Sequence, residues 1–245
     1  MTSSDDNQPQ ARPQPRLHDA GIDQAVLVSD LSHELRTLLG GIIGLNELLL
    51  STELSHHQKQ LSQTIDSSSK TLLTVLNDIV DLSRIEVGKM SIVNAPLNFP
   101  RLIEEVVALS EPAATSKQLE LQVEAKVPPL LIGDATRLRQ LFSSLTLRLI
   151  KSTEKGVVRL KVHVDENSAL LVDVESEQIG QFDRVWLKAL SEPAPERAKH
   201  DSGWLTLYIC HCLVKMMGGE CGTELSDNGC RLWARIPVTV PSGLV

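Results

Sequence analysis

The sequence predicts a long α-helical hairpin that pairs with a second hairpin as a four-helix bundle, followed by a mixed α/β sandwich. Three observations predict this. Val28, Leu31, Leu35, Leu38, Ile42, Leu45 and Leu49 recur at alternating spacings of 3 and 4, which is a heptad seam. A second seam follows in Leu61, Ile65, Ser68, Leu72, Val75, Ile79 and Leu82. From Gly88 onward the pattern changes, and short β-like runs alternate with helical stretches.

The elements follow in order. Residues 1–20 hold Pro9, Pro13 and Pro15 among Gln, Ser and Asp, and read as a flexible lead-in. Residues 21–87 form the hairpin. Its link, Ser51-Thr52-Glu53-Leu54-Ser55, is short and polar, with Ser55 as the N-cap of the second helix. A lone hairpin cannot bury both seams together with the flanking Leu39, Ile43, Leu73 and Val80. Two copies can, so a homodimer, or a heterodimer with a similar hairpin, is expected. Residues 88–241 form the sandwich. Its β-like runs are Leu119–Val123, Val157–Val164, Ala169–Val174 and Leu232–Val240; its helical stretches are Arg101–Ser110, Thr136–Ile150 and Leu205–Met217. Pro193 and Pro195 mark a loop between Trp186 and Gly203.

Composition excludes some functions. The chain has 245 residues, a net charge of −7 and only 3% aromatic residues, which disfavours a nucleic-acid surface. It has no apolar run of about 18 residues to span a membrane, and no secretory leader opens it. Cys210, Cys212, Cys221 and Cys230 cluster near the C-terminus. Their spacing is not that of a zinc knuckle; they read as reduced thiols, and no metal is expected.

With Val28 at heptad position a, His33 falls at f, Glu34 at g and Thr37 at c, on the outer face of the bundle. A surface histidine is commonly just solvated. An exposed imidazole beside a carboxylate is also a competent nucleophile, because the carboxylate orients one ring nitrogen and leaves the other free.

Ser32-His33-Glu34-Leu35-Arg36-Thr37 resembles the phosphoacceptor motif of the sensor histidine kinases of two-component systems. Asp81-Leu82-Ser83-Arg84-Ile85-Glu86-Val87-Gly88-Lys89-Met90 resembles the end of their dimerisation domain. Gly133-Asp134-Ala135-Thr136-Arg137-Leu138-Arg139-Gln140 resembles the start of the helix that carries the nucleotide-site asparagines, and Met217-Gly218-Gly219-Glu220 the turn after the last glycine box. These segments run in the family's order over residues 22–240. The resemblance implies a sandwich of the histidine-kinase ATPase type, with His33 as phosphoacceptor. It implies Glu34 as general base, and Thr37 orienting water in the reverse, phosphatase reaction. It also implies the cytoplasmic portion of a bacterial inner-membrane sensor.

The nucleotide slots depart from the family pattern. The two asparagine slots hold Ser144 and Arg148, and arginine is a permanent cation that cannot ligate Mg²⁺. The adenine-binding aspartate slot holds Ser176. Of the first box's glycines, Gln178 replaces one and Gly180 keeps the other. The three glycine slots of the other box hold Ser202, Trp204 and Thr206, with Trp204 expected to fill the space of a phosphate or ribose. ATP and Mg²⁺ binding are expected to be lost, so no cofactor is expected. The alternative is that Arg148 replaces the metal and pairs with phosphate directly.

The family often has a proline after the motif threonine. Here Leu38 stands there, followed by Gly40, Gly41 and Gly44, which together remove on the order of 3 kcal/mol of helix preference. Either these glycines admit a close neighbour, or they let the helix bend and open. The function expected is a pseudokinase that regulates another sensor kinase through its hairpin, with phosphatase or phosphoryl-accepting action. The degenerate pattern is similar to that of RetS-type hybrid sensors, which implies a GacS-type kinase as heterodimer partner. The alternatives are a histidine phosphotransfer protein serving receiver domains, an active ATP-dependent kinase, and a purely structural dimerisation module.

Overall fold

The computed structural model describes residues 17–180, 184–191 and 202–241. Residues 1–16 of the lead-in and the loop prolines Pro193 and Pro195 lie outside the described residues, as do the side chains of Val28 and Ser202. The chain divides into two compact units, residues 1–89 and 90–245.

The first unit is the hairpin. Helix α1 runs Leu17–Leu50 and α2 runs His56–Glu86. Leu17–Ala20, which the sequence reading assigned to the lead-in, are therefore helical. Helix α1 closes on two hydroxyls: Ser51 Oγ donates to Leu48 O at 2.7 Å and Thr52 Oγ1 to Leu49 O at 2.8 Å, satisfying two terminal carbonyls. Helix α2 opens with a capping box. Gln58 N donates to Ser55 Oγ at 3.3 Å, and Ser55 N donates to Gln58 Oε1 at 2.9 Å.

The two helices meet along a face beside the heptad seams. Ser32, Leu39 and Asn46 of α1 and Ser62, Ser69, Leu76 and Val80 of α2 are buried. The seam residues Leu31, Leu35, Leu38, Ile42, Leu45 and Leu49 are exposed, as are Leu61, Ile65, Leu72 and Ile79. Two of the flanking residues, Leu39 and Val80, thus close the hairpin, while the seams form an outward apolar stripe.

The second unit is a sheet with helices packed on one face. Strand β1 spans Ala95–Asn98, α3 Phe99–Ser116, β2 Glu120–Lys126, β3 Leu130–Gly133 and α4 Ala135–Ser152. Strands β4 (Val157–Val164) and β5 (Ala169–Ser176) precede α5 (Arg184–Leu187), a 3-10 turn (Lys188–Leu190), α6 (Ser202–Met216), β6 (Glu220–Leu225) and β7 (Cys230–Pro237). The main sheet has the order β2-β4-β5-β7-β6, parallel at β2/β4 and antiparallel elsewhere, while β1 and β3 pair separately. Alternation decides the faces. Val158, Leu160 and Val162 of β4 and Leu170, Val172 and Val174 of β5 are buried in one core with Leu141, Leu145 and Leu149 of α4. On the other face Lys161 pairs with Glu175 and Arg231 with Asp173.

Sequence alone did not assign β1, β3, β6 or α5. Strands β1 and β3 have four residues each, and β6 (Glu220-Cys221-Gly222-Thr223-Glu224-Leu225) has one strongly apolar residue at its end. Such segments carry too little periodicity to be read without their pairing partners. Helix α3 continues through Pro112 to Ser116, past the Ser110 end that the sequence suggested. After α6 the chain must turn tightly: Gly218 has φ +74°, and a Cβ on Gly219 would collide with Arg235 O.

Candidate functional site

Two sets of residues carry candidate chemistry, one in each unit. In the hairpin, the heptad phase of α1 sets the orientation of His33. Ser32 faces α2 and is buried, so His33, Glu34 and Thr37 turn outward and are exposed. Thr37 Oγ1 donates back to His33 O at 3.0 Å, one turn away. This bond uses the hydroxyl proton and leaves the oxygen's lone pairs for water. Beside them Arg36 Nη2 donates to Asn77 Oδ1 at 2.9 Å, tying this turn of α1 to α2. Sequence reasoning did not single out Asn77. Nothing in the spacing of α2 distinguishes it from other polar positions.

Leu38 is exposed, and Gly40, Gly41 and Gly44 continue the helix without interruption. A Cβ on any of the three glycines would meet nothing within 4 Å. Packing within the hairpin therefore does not require glycine there.

In the sheet unit, helix α4 carries Ser144 and Arg148 one turn apart, both half-buried. Asp134 caps the helix by accepting from Arg137 N at 3.0 Å, and it also accepts from Val93 N at 2.9 Å. At the other end Lys117 Nζ donates to Ile150 O, Lys151 O and Thr153 O, holding the last turn. The Arg148 guanidinium lies directly over Gly203 in the first turn of α6. A Cβ at 203 would overlap its Nη1 and Cζ atoms.

Ser176 ends β5 and is 4% exposed. Its Oγ lies 2.9 Å from Thr153 Oγ1 and accepts from Gln178 N at 3.4 Å. The following segment closes down on the end of α4. Glu154 N donates to Gln178 O at 3.1 Å, Gly180 N donates to Ser152 O at 2.9 Å, and Thr153 and Ile179 form an antiparallel bridge. Trp204 is absorbed into the core cluster, 6% exposed and stacked on Tyr208 with ring centroids 5.0 Å apart at 12°. Its Nε1 is buried without a hydrogen-bond partner among the described residues. Thr206 is half-buried on the same helix.

Thus Arg148 and the α6 turn come together, with Ser144 one turn away on α4, while Ser176, Gln178 and Gly180 form a second cluster at the end of α4. The group over the α6 turn is the Arg148 side chain rather than the Trp204 indole. Sequence reasoning singled out Arg148 by its charge but missed Gly203, whose role shows only once α4 and α6 are side by side. An open groove of about 650 Å³ at one end of β5, β6 and β7 includes Ser176 and self-paired charges such as Arg231 and Glu224.

The thiols are internally engaged. Cys221 Sγ donates to Leu190 O at 3.5 Å and lies 3.7 Å from His211 Nδ1. Burial pushes the Cys221 thiol up to about 11 and that of Cys230 to about 12. Both are thus poor nucleophiles at neutral pH. Among the described residues no helix is long and apolar enough to cross a membrane.

Residues 23–88 match the His Kinase A (phospho-acceptor) domain. The chain is 35% identical over 217 residues to the sensor protein GacS of Pseudomonas syringae pv. syringae, covering 84% of this chain and 24% of that protein. It is 34% identical over 225 residues to the aerobic respiration control sensor protein ArcB of Escherichia coli, covering 89% of this chain and 29% of that protein. The chain thus spans 24% and 29% of the length of these two relatives. In structure it is similar to full-length ShkA, crystallised with AMPPNP, with a TM-score of 0.67 and 25% identity over 90% of this chain and 47% of that one.

Proposed function

We propose that this chain, a homologue of the bacterial two-component sensor histidine kinases that carries their phosphoacceptor domain at residues 23–88, acts as a pseudokinase. In this reading it pairs through its hairpin and regulates another sensor kinase, of GacS type, instead of phosphorylating itself from ATP. The observation that carries the reading is the Arg148 guanidinium over Gly203. A permanent cation fills the space where the family's helix would present a metal ligand to a nucleotide phosphate. Ser176, already engaged with Thr153 and Gln178, supports it, because the adenine slot's polar group is satisfied within the chain.

The exposed apolar stripe of α1 and α2 supports pairing, first as a homodimer and then with a hairpin of similar seam. His33 stays outward, with Glu34 beside it and Thr37 one turn along, so the hairpin keeps the layout needed to accept a phosphoryl group or to direct water onto one. That exposure also favours a second reading, in which His33 takes phosphate from one receiver domain and passes it to another without ATP. In either reading the chain belongs to the cytoplasmic portion of a membrane sensor.

One set of assays separates the readings. Calorimetry with Mg-ATP should give no binding tighter than about 100 μM, and labelled ATP alone should leave His33 unlabelled. Co-incubation with a GacS-type kinase should form a complex and lower that kinase's phosphorylation. Tight nucleotide binding with autophosphorylation would overturn the pseudokinase reading. Label moving from a phosphorylated receiver to His33, and lost in His33→Gln, would establish phosphotransfer.

A further inference from the structure

We infer that the outward seams of the hairpin meet a second copy of this chain across a two-fold interface that is under-filled at one level, Ile42 with Ser68, and that this level keeps the pairing exchangeable. The inference rests on the proposed pairing through the hairpin. Two bonds between the helices fix how the seams stand relative to each other. Asn46 Nδ2 donates to Ser62 O at 2.9 Å near the link, and Arg36 Nη2 donates to Asn77 Oδ1 at 2.9 Å further along. Between these ties Leu38 stands level with Leu72, Ile42 with Ser68 and Leu45 with Ile65. The two seams therefore climb in step. A two-fold axis parallel to the helices then sets each level of one copy against the same level of the other. That is the condition for a self-complementary surface, and it points to a second copy as the occupant.

The levels are not equally filled. Leu38 and Leu72 are open to solvent, as are Leu45 and Ile65, so each of these levels presents two branched aliphatic side chains. The level between them presents one, because the exposed Ile42 is matched by the exposed Ser68. Neighbouring positions do not compensate. Gly41 and Gly44 flank Ile42, and a Cβ on either would meet nothing within 4 Å. Beside Ser68, Ser69 is buried in the hairpin, and Ser67 Oγ turns back to donate to Thr64 O at 3.0 Å. Folding thus brings the small residues of both helices to one level. In a paired bundle that level holds two Ile42 and two Ser68 side chains around the axis. Serine in place of a leucine-sized side chain leaves space that no other group fills, which weakens the attraction between the copies there. The fuller levels above and below hold the copies together, while this one is where they part. A chain that leaves its own copy to engage another sensor kinase needs a homodimer that opens in this way.

Filling the space tests this on the full chain. Ser68→Leu should lower the dissociation constant of the homodimer at least about tenfold, read by light scattering over a dilution series. Subunit exchange, read as energy transfer after donor- and acceptor-labelled pools are mixed, should slow by a similar factor. Ser68 is exposed in the single hairpin, so the variant leaves the packing of α1 on α2 intact, and an unaltered circular dichroism spectrum checks this. Ser68→Ala removes the hydroxyl without filling the space and should tighten the dimer much less. Strong tightening by leucine with little by alanine supports the under-filled level. Equal tightening by both traces the weakness to the hydroxyl and overturns it. A looser dimer in Ser68→Leu means a close-packed level and overturns it as well, as does a dimer that neither variant alters. In each of these cases the wild-type dimer, and with it the pairing reading, still stands. A wild-type chain that stays monomeric removes the pairing reading itself, so the two failures are distinguishable.

Discussion

At the scale of single residues, the nucleotide region turns on Gly203 and Arg148. An arginine on α4 needs a place for its guanidinium, and the absence of a Cβ on α6 supplies one. Gly203→Ala would gain helix preference in isolation, but its methyl group would overlap the guanidinium. The expected net cost is about 1–3 kcal/mol, read as a lower melting temperature of the sheet unit. In the double variant Gly203→Ala/Arg148→Ala the methyl group has room, so its cost should largely vanish relative to Arg148→Ala alone. A double-mutant cycle measures that coupling directly, and additive losses would mean the two residues act independently. Arg148 was legible from sequence because its charge contradicts a metal-ligand slot. Gly203 was not, because a glycine in a helix gives no sign of what lies above it.

At the scale of elements, α1 is one continuous helix that contains its own weak segment. Gly40, Gly41 and Gly44 could have marked a close approach by α2, yet a Cβ at each would meet open space. That favours the bending alternative as a property of the free hairpin. The variant Gly40→Ala/Gly41→Ala/Gly44→Ala should stabilise α1 by up to about 3 kcal/mol. Amide exchange at Gly40–Gly44, expected to be fast against protected neighbours in the wild type, should slow accordingly. If bending serves partner exchange, the same variant binds a partner kinase more weakly while melting higher. Uniform protection of α1 in the wild type would rule the weak segment out. Both helices of the hairpin were legible from their seams, since a heptad repeat over many turns has few other readings. Which side of each helix faces the other was not, because apolar residues flank the seams on both sides.

At the scale of the whole molecule, the outward stripe dominates. Leu45 is 71% exposed, and Leu35, Ile42, Leu49, Leu61 and Ile65 are also open. Soluble units rarely leave such a stripe uncovered. Leu45→Glu together with Leu72→Glu should convert a dimer to monomers without lowering helix content. Each buried leucine is worth about 2–3 kcal/mol, so self-association should weaken by at least about a hundredfold. Light scattering across a dilution series reads this directly, and an unchanged dimer would place the interface elsewhere.

The sequence by itself determined the hairpin, the change of pattern near Gly88 and the odd residues in the nucleotide slots. Each of these is written in local periodicity or in residue type. Only the tertiary structure decided that Arg148 lies on Gly203, that Ser176 is engaged by Thr153 and Gln178, that Trp204 joins the core, and that Asn46 meets Ser62. Those facts depend on which residues distant in the chain become neighbours. Local pattern restricts such pairings, but only the packed backbone selects among them.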